Sequence, residues 1–145
     1  MVVFLRGDLF SSKAHTLVNP VNCVGVMGKG IAKGFRDRWP EMFFCYQAAC
    51  QRGFLRPGRL FPWSDGERLI LNVPTKDHWR SMSTVEIVDG GLLAIRAVWR
   101  RLGVRSMAIP ALGCGLGTLS WDVVRPLIEQ RVGDLPFAVE VYEPL

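Results

Sequence analysis

Histidine and cysteine are scarce in this 145-residue chain, which holds two of the former and four of the latter. No CxxC pair occurs, and neither His15 nor His78 stands at metal-ligand spacing from Cys23, Cys45, Cys50 or Cys114. That pattern speaks against a zinc site and against a disulfide framework. The thiols read as reduced, which points to a cytoplasmic location. Long apolar runs are also missing, and nothing approaches the roughly 18 consecutive apolar residues of a membrane span. The opening run Val2-Val3-Phe4-Leu5 is too short for a signal peptide, and no basic segment precedes it. Neither the phosphate-loop pattern GxxxxGK[ST] nor the dinucleotide pattern GxGxxG is present. Internal repeats, low-complexity segments and linkers are absent too, so the expectation is one domain over residues 1–145.

What the chain does have is the composition of a globular protein, 49% apolar and 21% charged. Its net charge of +5 is unevenly placed. Residues 1–72 hold ten Lys/Arg and five Asp/Glu, whereas residues 73–145 hold eight of each. Lys29, Lys33, Arg36, Arg38, Arg52, Arg56 and Arg59 supply most of the excess. Such a patch suits a phosphate-bearing partner, a nucleotide or a nucleic-acid backbone, or else is a solvated basic face.

Short β-like runs alternate with helical patterns, the mark of a three-layer α/β domain. Residues 2–5, 17–21, 59–63, 68–73, 106–109 and 137–142 read as strands. Residues 31–38 read as helix, and 41–50 as its continuation or a second helix after Trp39-Pro40. The clearest helix covers residues 84–101, where Val85, Val88, Leu92, Ile95, Trp99 and Leu102 recur at steps of three and four. Gly103 ends it. A last helix spans 121–132, with Pro126 placed in its first turn if Asp122 is the N-cap.

Two glycine-rich loops each follow a strand and precede a helix: Val24-Gly25-Val26-Met27-Gly28-Lys29-Gly30 and Gly113-Cys114-Gly115-Leu116-Gly117. Ligands of open α/β sheets bind outside the carboxyl ends of strands, where such loops converge. Glycines let backbone N–H groups approach phosphate, and helix N-termini add a favourable field. Two loops facing one another suit a diphosphate. Either loop alone is no more than a turn signal.

The segments Asn19-Pro20-Val21-Asn22-Cys23-Val24-Gly25-Val26-Met27-Gly28-Lys29-Gly30-Ile31-Ala32, Pro74-Thr75-Lys76 and Ile109-Pro110-Ala111-Leu112-Gly113-Cys114-Gly115-Leu116-Gly117 carry a resemblance. In their order and spacing the chain resembles macrodomains, from Gly7-Asp8-Leu9 to Arg125-Pro126-Leu127-Ile128-Glu129. More narrowly, it is similar to the branch holding a terminal ADP-ribose glycohydrolase and bacterial antitoxins that strip ADP-ribose from thymidine in DNA. The resemblance implies a three-layer α/β/α macrodomain with a central mixed sheet, binding ADP-ribose without cofactor or metal. Asp8, beside Leu9, would then accept a hydrogen bond from the adenine amino group. Gly25, Val26, Met27, Gly28, Gly30 and Ile31 would hold the distal ribose and a phosphate. Pro110, Leu112, Gly113, Cys114, Gly115, Leu116 and Gly117 would hold the diphosphate from the other side. Asn22 would bond the distal ribose hydroxyls and share catalysis with Lys76. That lysine falls just past the 69–73 strand, beside the expected site, where desolvation would favour the neutral amine that a base or nucleophile needs.

His78, Trp79 and Arg80 follow directly. Trp79 either stacks on a base at the entrance or covers the core edge, and Arg80 meets a DNA phosphate or solvent. Gly117 stands where part of the branch has an acidic residue, which shifts the expected target from ADP-ribosylated glutamate towards DNA. The expected activity is release of ADP-ribose from mono-ADP-ribosylated targets, foremost thymidine in single-stranded DNA. Alternatives are acyl-linked protein ADP-ribose, ADP-ribose 1''-phosphate, and a reader that binds ADP-ribose without chemistry. A toxin partner is compatible with the resemblance, but no residue indicates one.

Overall fold

The computed structural model describes residues 1–145. Chain order runs β1 (Val2–Leu5), a 3-10 turn (Leu9–Ser11), β2 (Thr16–Val21), α1 (Gly30–Arg38), α2 (Pro40–Gln51), β3 (Phe61–Ser64), β4 (Leu69–Pro74), α3 (Val85–Leu102), β5 (Ser106–Pro110), α4 (Trp121–Val132) and β6 (Ala138–Tyr142). The strands join in one sheet, ordered β1-β6-β5-β2-β4-β3. All neighbours are parallel except the edge strand β3, which runs antiparallel to β4. The sheet is thus mixed and flanked by helices on both faces, the architecture the resemblance implied. No helix is long and apolar enough to cross a membrane.

Parallel strands linked by helical crossovers are covered on both faces and so read as apolar runs rather than strict alternation. β4 is buried along its whole length. Successive side chains still part to opposite faces. Leu17, Val21 and Ile70 meet Phe35 of α1 and Met42, Phe43 and Tyr46 of α2. Val18, Leu71 and Val73 meet Val88, Leu92 and Ile95 of α3 and Val124, Ile128 and Val132 of α4.

The helix read from apolar spacing is the best defined. Thr84 caps α3 by accepting from Ile87 N at 3.2 Å, and Gly103 closes it at φ 72°. There the N–H groups of Gly103 and Val104 donate to the carbonyls of Arg100 and Trp99, satisfying groups the helix end leaves open. At Trp39-Pro40 the helix breaks: Trp39 sits at φ −130°, ψ 71°, because the residue before proline is pushed out of the helical region. Residues 41–50 therefore belong to a second helix, not a continuation.

Two expectations need correction. β3 begins at Phe61, not residue 59, because Arg56 to Arg59 close a turn in which Arg59 N donates to Arg56 O at 2.9 Å. Ser120, not Asp122, is the N-cap of α4, so Pro126 lies inside the helix beyond the first turn. Pro126 therefore denies the Asp122 carbonyl its donor. Both residues are exposed, so water can reach that oxygen.

β2 and β5 are neighbours in the sheet, yet the helices that follow them cover opposite faces. Such a switch in winding opens a crevice at the carboxyl ends of the two strands.

Candidate active site

A cleft of about 730 Å³ occupies that crevice. Three loops build it: residues 22–29 after β2, 75–84 after β4 and 111–120 after β5. Its lining includes Lys29, Lys76 and Arg80 and no Asp or Glu, so the cleft carries cations without an acidic counterpart. Its field therefore favours an anionic ligand.

The first loop is shaped by Asn22, which is 6% exposed. Its Oδ1 accepts from Val24 N at 3.1 Å and Val26 N at 3.4 Å, and its Nδ2 donates to Val26 O at 2.8 Å. The Tyr46 hydroxyl lies 2.8 Å from both Asn22 Oδ1 and the Asn22 carbonyl oxygen, and donates its single proton between them. Met27 is fully buried and anchors the loop, its Sδ 3.8 Å from Asn19 Nδ2. That same Nδ2 donates to Asn72 Oδ1 at 2.9 Å across the β2–β4 pair. Gly25, at φ 84°, backs onto α2, where a Cβ would stand 3.2 Å from Gln47 Cγ. Lys29 precedes α1 and supplies no side-chain cap, leaving the first N–H groups of the helix available at the cleft.

In the second loop, Gly113 takes φ 73° and a Cβ there would meet Leu119 Cδ1 at 2.8 Å. Gly117 is tighter. A Cβ there would stand 2.6 Å from the Gly113 carbonyl oxygen and collide with Ser83 Oγ. No side chain, acidic or otherwise, fits at 117 without rebuilding the loop. Leu116 is 62% exposed and reaches across the cleft, its Cδ1 3.7 Å from where a Gly30 Cβ would be. The two glycine loops thus meet over the cleft. Thr118 holds φ 68°, a left-handed conformation uncommon for a β-branched residue.

The third loop carries the lysine. Thr75 N donates to Val21 O at 2.9 Å, and Cys23 N to Asp77 O at 2.8 Å, so the 75–84 loop is stitched to the first loop. Lys76 is half-buried, and its Nζ donates to Trp79 O at 3.3 Å. His78 Nδ1 accepts from Arg80 N at 3.0 Å.

The expected residues divide by their placement. Asn22, Val26, Gly28, Gly30, Ile31, Lys76, Trp79, Arg80, Pro110, Gly113, Gly115, Leu116 and Gly117 line the cleft together. Leu9, Met27 and Leu112 turn their side chains into the core, at 3%, 0% and 0% exposure, which leaves only their backbone for a ligand. Gly25 lies behind the first loop against α2. Cys114 packs against the α3–α4 side, where burial pushes its thiol up to about 11, the wrong direction for a nucleophile. His78 supports its loop from outside the cleft. Asp8 also lies outside the lining and caps the 3-10 turn, its Oδ1 accepting from Phe10 N at 2.9 Å. Asn22 is corrected in one respect: its amide oxygen is saturated by loop donors, so one Nδ2 hydrogen is what it can offer a sugar. Sequence reasoning missed Tyr46, Ser81 and Met82. The first sits 24 residues from the Asn22 it holds, and no local signal marks any of them.

The cleft has relatives. The chain belongs to the Macro domain family, whose model matches residues 18–128. Within it the chain is 43% identical over 148 residues to a DNA ADP-ribosyl glycohydrolase of Mycobacterium tuberculosis, covering 99% of this chain and 42% of that protein. It therefore spans less than half the length of the curated relatives it matches. The solved macrodomain of Thermus aquaticus DarG superposes with a TM-score of 0.95 at 42% identity, covering 99% of each chain. DarTG of Thermosipho africanus, solved in complex with ADP-ribose, superposes at a TM-score of 0.93 and 35% identity, covering 99% of this chain and 42% of that one.

Proposed function

We propose that this macrodomain is a hydrolase that releases ADP-ribose from mono-ADP-ribosylated targets, foremost thymidine in single-stranded DNA, with Lys76 as its acid–base group. One observation carries the reading: the cleft holds a half-buried lysine and no carboxylate. A pure reader of ADP-ribose has no need of that lysine, and a lysine–carboxylate pair is closed off by the packing at Gly117. The names of the relatives, DNA ADP-ribosyl glycohydrolases at 42–43% identity, support the DNA target.

On this reading the diphosphate lies between the two glycine loops, near the free N–H groups of α1. The remaining Nδ2 hydrogen of Asn22 is available to the distal ribose. The bond that breaks joins the anomeric carbon of that ribose to the base, and its electron pair leaves with the base. The Lys76 ammonium delivers a proton to the departing base. The amine so formed takes a proton from the water that adds at the anomeric carbon, and the ammonium is restored. A transferase that attaches ADP-ribose to DNA must supply the substrate. A Thermosipho africanus relative named as a DNA ADP-ribosyl transferase and glycohydrolase fusion supports such a counterpart.

The test is release of ADP-ribose from a thymidine-modified single-stranded oligonucleotide, with a glutamate-modified protein alongside. Lys76→Ala is expected to lower the rate on DNA about 10²- to 10⁴-fold, the usual contribution of a positioned acid–base group. Release from the protein alone would move the substrate. Binding of ADP-ribose with release from neither would leave a reader.

A further inference from the structure

We propose that Trp79 and Arg80 form a stacking platform for the nucleobase next to the modified one, so that the enzyme reads a single-stranded neighbour as well as ADP-ribose. This rests on the DNA-directed reading above. Trp79 is 44% exposed at the cleft rim and is not among the side chains packed on either core cluster. An indole left in water this way is not serving as a cover for the core. Its environment is instead a built stack. The Arg80 guanidinium lies over the ring, 4.5 Å from its centroid, and the His78 ring sits 5.3 Å away at 32°.

The stack is held by hydrogen bonds within its own loop, from backbone and side chains together. Arg80 N donates to His78 Nδ1 at 3.0 Å, Ser81 N donates to His78 O at 2.9 Å, and Lys76 Nζ donates to Trp79 O at 3.3 Å. Arg80 forms no ion pair. Its guanidinium therefore has one face on the indole, with its N–H edge uncommitted. That combination fits a nucleotide: a base stacks on the aromatic and guanidinium planes while the N–H edge meets a phosphate. The contact between Lys76 and the Trp79 carbonyl puts the platform beside the reacting bond, where the adjoining nucleotide of a strand must lie. A protein target offers no regular neighbour of this kind.

The experiment compares kcat/KM on ADP-ribosylated thymidine, which has no neighbour, with that on an ADP-ribosylated single-stranded oligonucleotide. Trp79→Ala is expected to reduce the preference for the oligonucleotide about 5- to 150-fold, the equivalent of one base–aromatic stack. Trp79→Phe should restore most of it, and Arg80→Ala should flatten the salt dependence of KM on the oligonucleotide. An equal loss on both substrates, or none on either, overturns the platform. Anisotropy of a labelled, unmodified oligothymidine supplies a readout independent of hydrolysis. Its affinity should fall by a similar factor in Trp79→Ala, and unchanged binding overturns the proposal. Tryptophan-dependent binding without release from any DNA substrate would sink the hydrolase reading and leave the platform standing.

Discussion

Replacing Tyr46 with phenylalanine removes one oxygen atom and tests how the first loop keeps its shape. The ring is fully buried in the α1–α2 side of the core, so its apolar contacts survive the change. What is lost is the hydroxyl proton shared between Asn22 Oδ1 and the Asn22 carbonyl. The amide oxygen still has Val24 and Val26 N–H donors, but the carbonyl oxygen has no other. A buried acceptor left without a donor costs about 1–3 kcal/mol. For a chain of this length each kcal/mol moves Tm by about 3 °C, so Tyr46→Phe should melt about 3–10 °C lower. Part of that loss should reappear as weaker ADP-ribose binding, because ordering the loop then falls to the ligand. Thermal and urea unfolding, with a calorimetric titration of ADP-ribose, measure the two effects. A variant with unchanged Tm and unchanged affinity would refute the assignment of Tyr46 and Asn22 as the clasp of the loop.

Two further outcomes follow from the same packing. Gly117→Ala should cost about 1–3 kcal/mol in urea unfolding and weaken ADP-ribose binding, since the new methyl meets the Gly113 carbonyl. Adding Ser83→Ala should recover only part of it, because that carbonyl remains, and a fully stable Gly117→Ala would contradict the geometry. Burial raises the Cys23 thiol to about 12 and the Cys114 thiol to about 11 from an ordinary 9.0, and it raises the Tyr46 phenol as well. The two thiols hold their protons more tightly folded than unfolded, so their contribution is complete below pH 9 and is lost as pH climbs through 11 to 12. Tm should fall over that window and fall less steeply in Cys23→Ala, and an unchanged slope in that variant would count against the burial.

How far the sequence carried depended on how local each determinant is. α3 was legible because its spacing, its Thr84 cap and its Gly103 stop all lie within one segment. The N-cap of α4 was not, since Ser120 and Asp122 are both good caps and only the rest of the fold chooses between them. The start of β3 was misplaced because Leu60 is apolar and strand-like, yet it follows a turn closed from Arg56. Loop residues divided the same way. Their positions came from motif order, but whether Met27 or Leu112 faces ligand or core depends on which side of a loop lies against the sheet. Asn22 was named from its motif, but its work as a clasp of the loop was not legible, because it requires Tyr46 on another element. The absence of any carboxylate from the cleft is a property of three loops together, and no one segment displays it.

On the proposed function, that division lets such a cleft be general for one half of its substrate and selective for the other. The two facing loops present mostly backbone. Asn22 directs its oxygen inward, Lys29 leaves the first turn of α1 open, and Gly113 and Gly117 have no side chains to offer. A surface of amides and glycines suits a diphosphate and the sugars on it, which are the same whatever they are attached to. It cannot distinguish one attached group from another. On the proposed function that task falls to what lies beyond the anomeric carbon, and the rim segment holding Lys76, Trp79, Arg80, Ser81 and Met82 is where we place it. Trp79 and Met82 are exposed at 44% and 69%, while the loop beneath them is tied to the first loop through Asp77. On the proposed reading, binding of ADP-ribose is fixed in the glycine loops. On the same reading, the choice of what it is removed from is made between Lys76 and Met82, around the lysine proposed to move the proton.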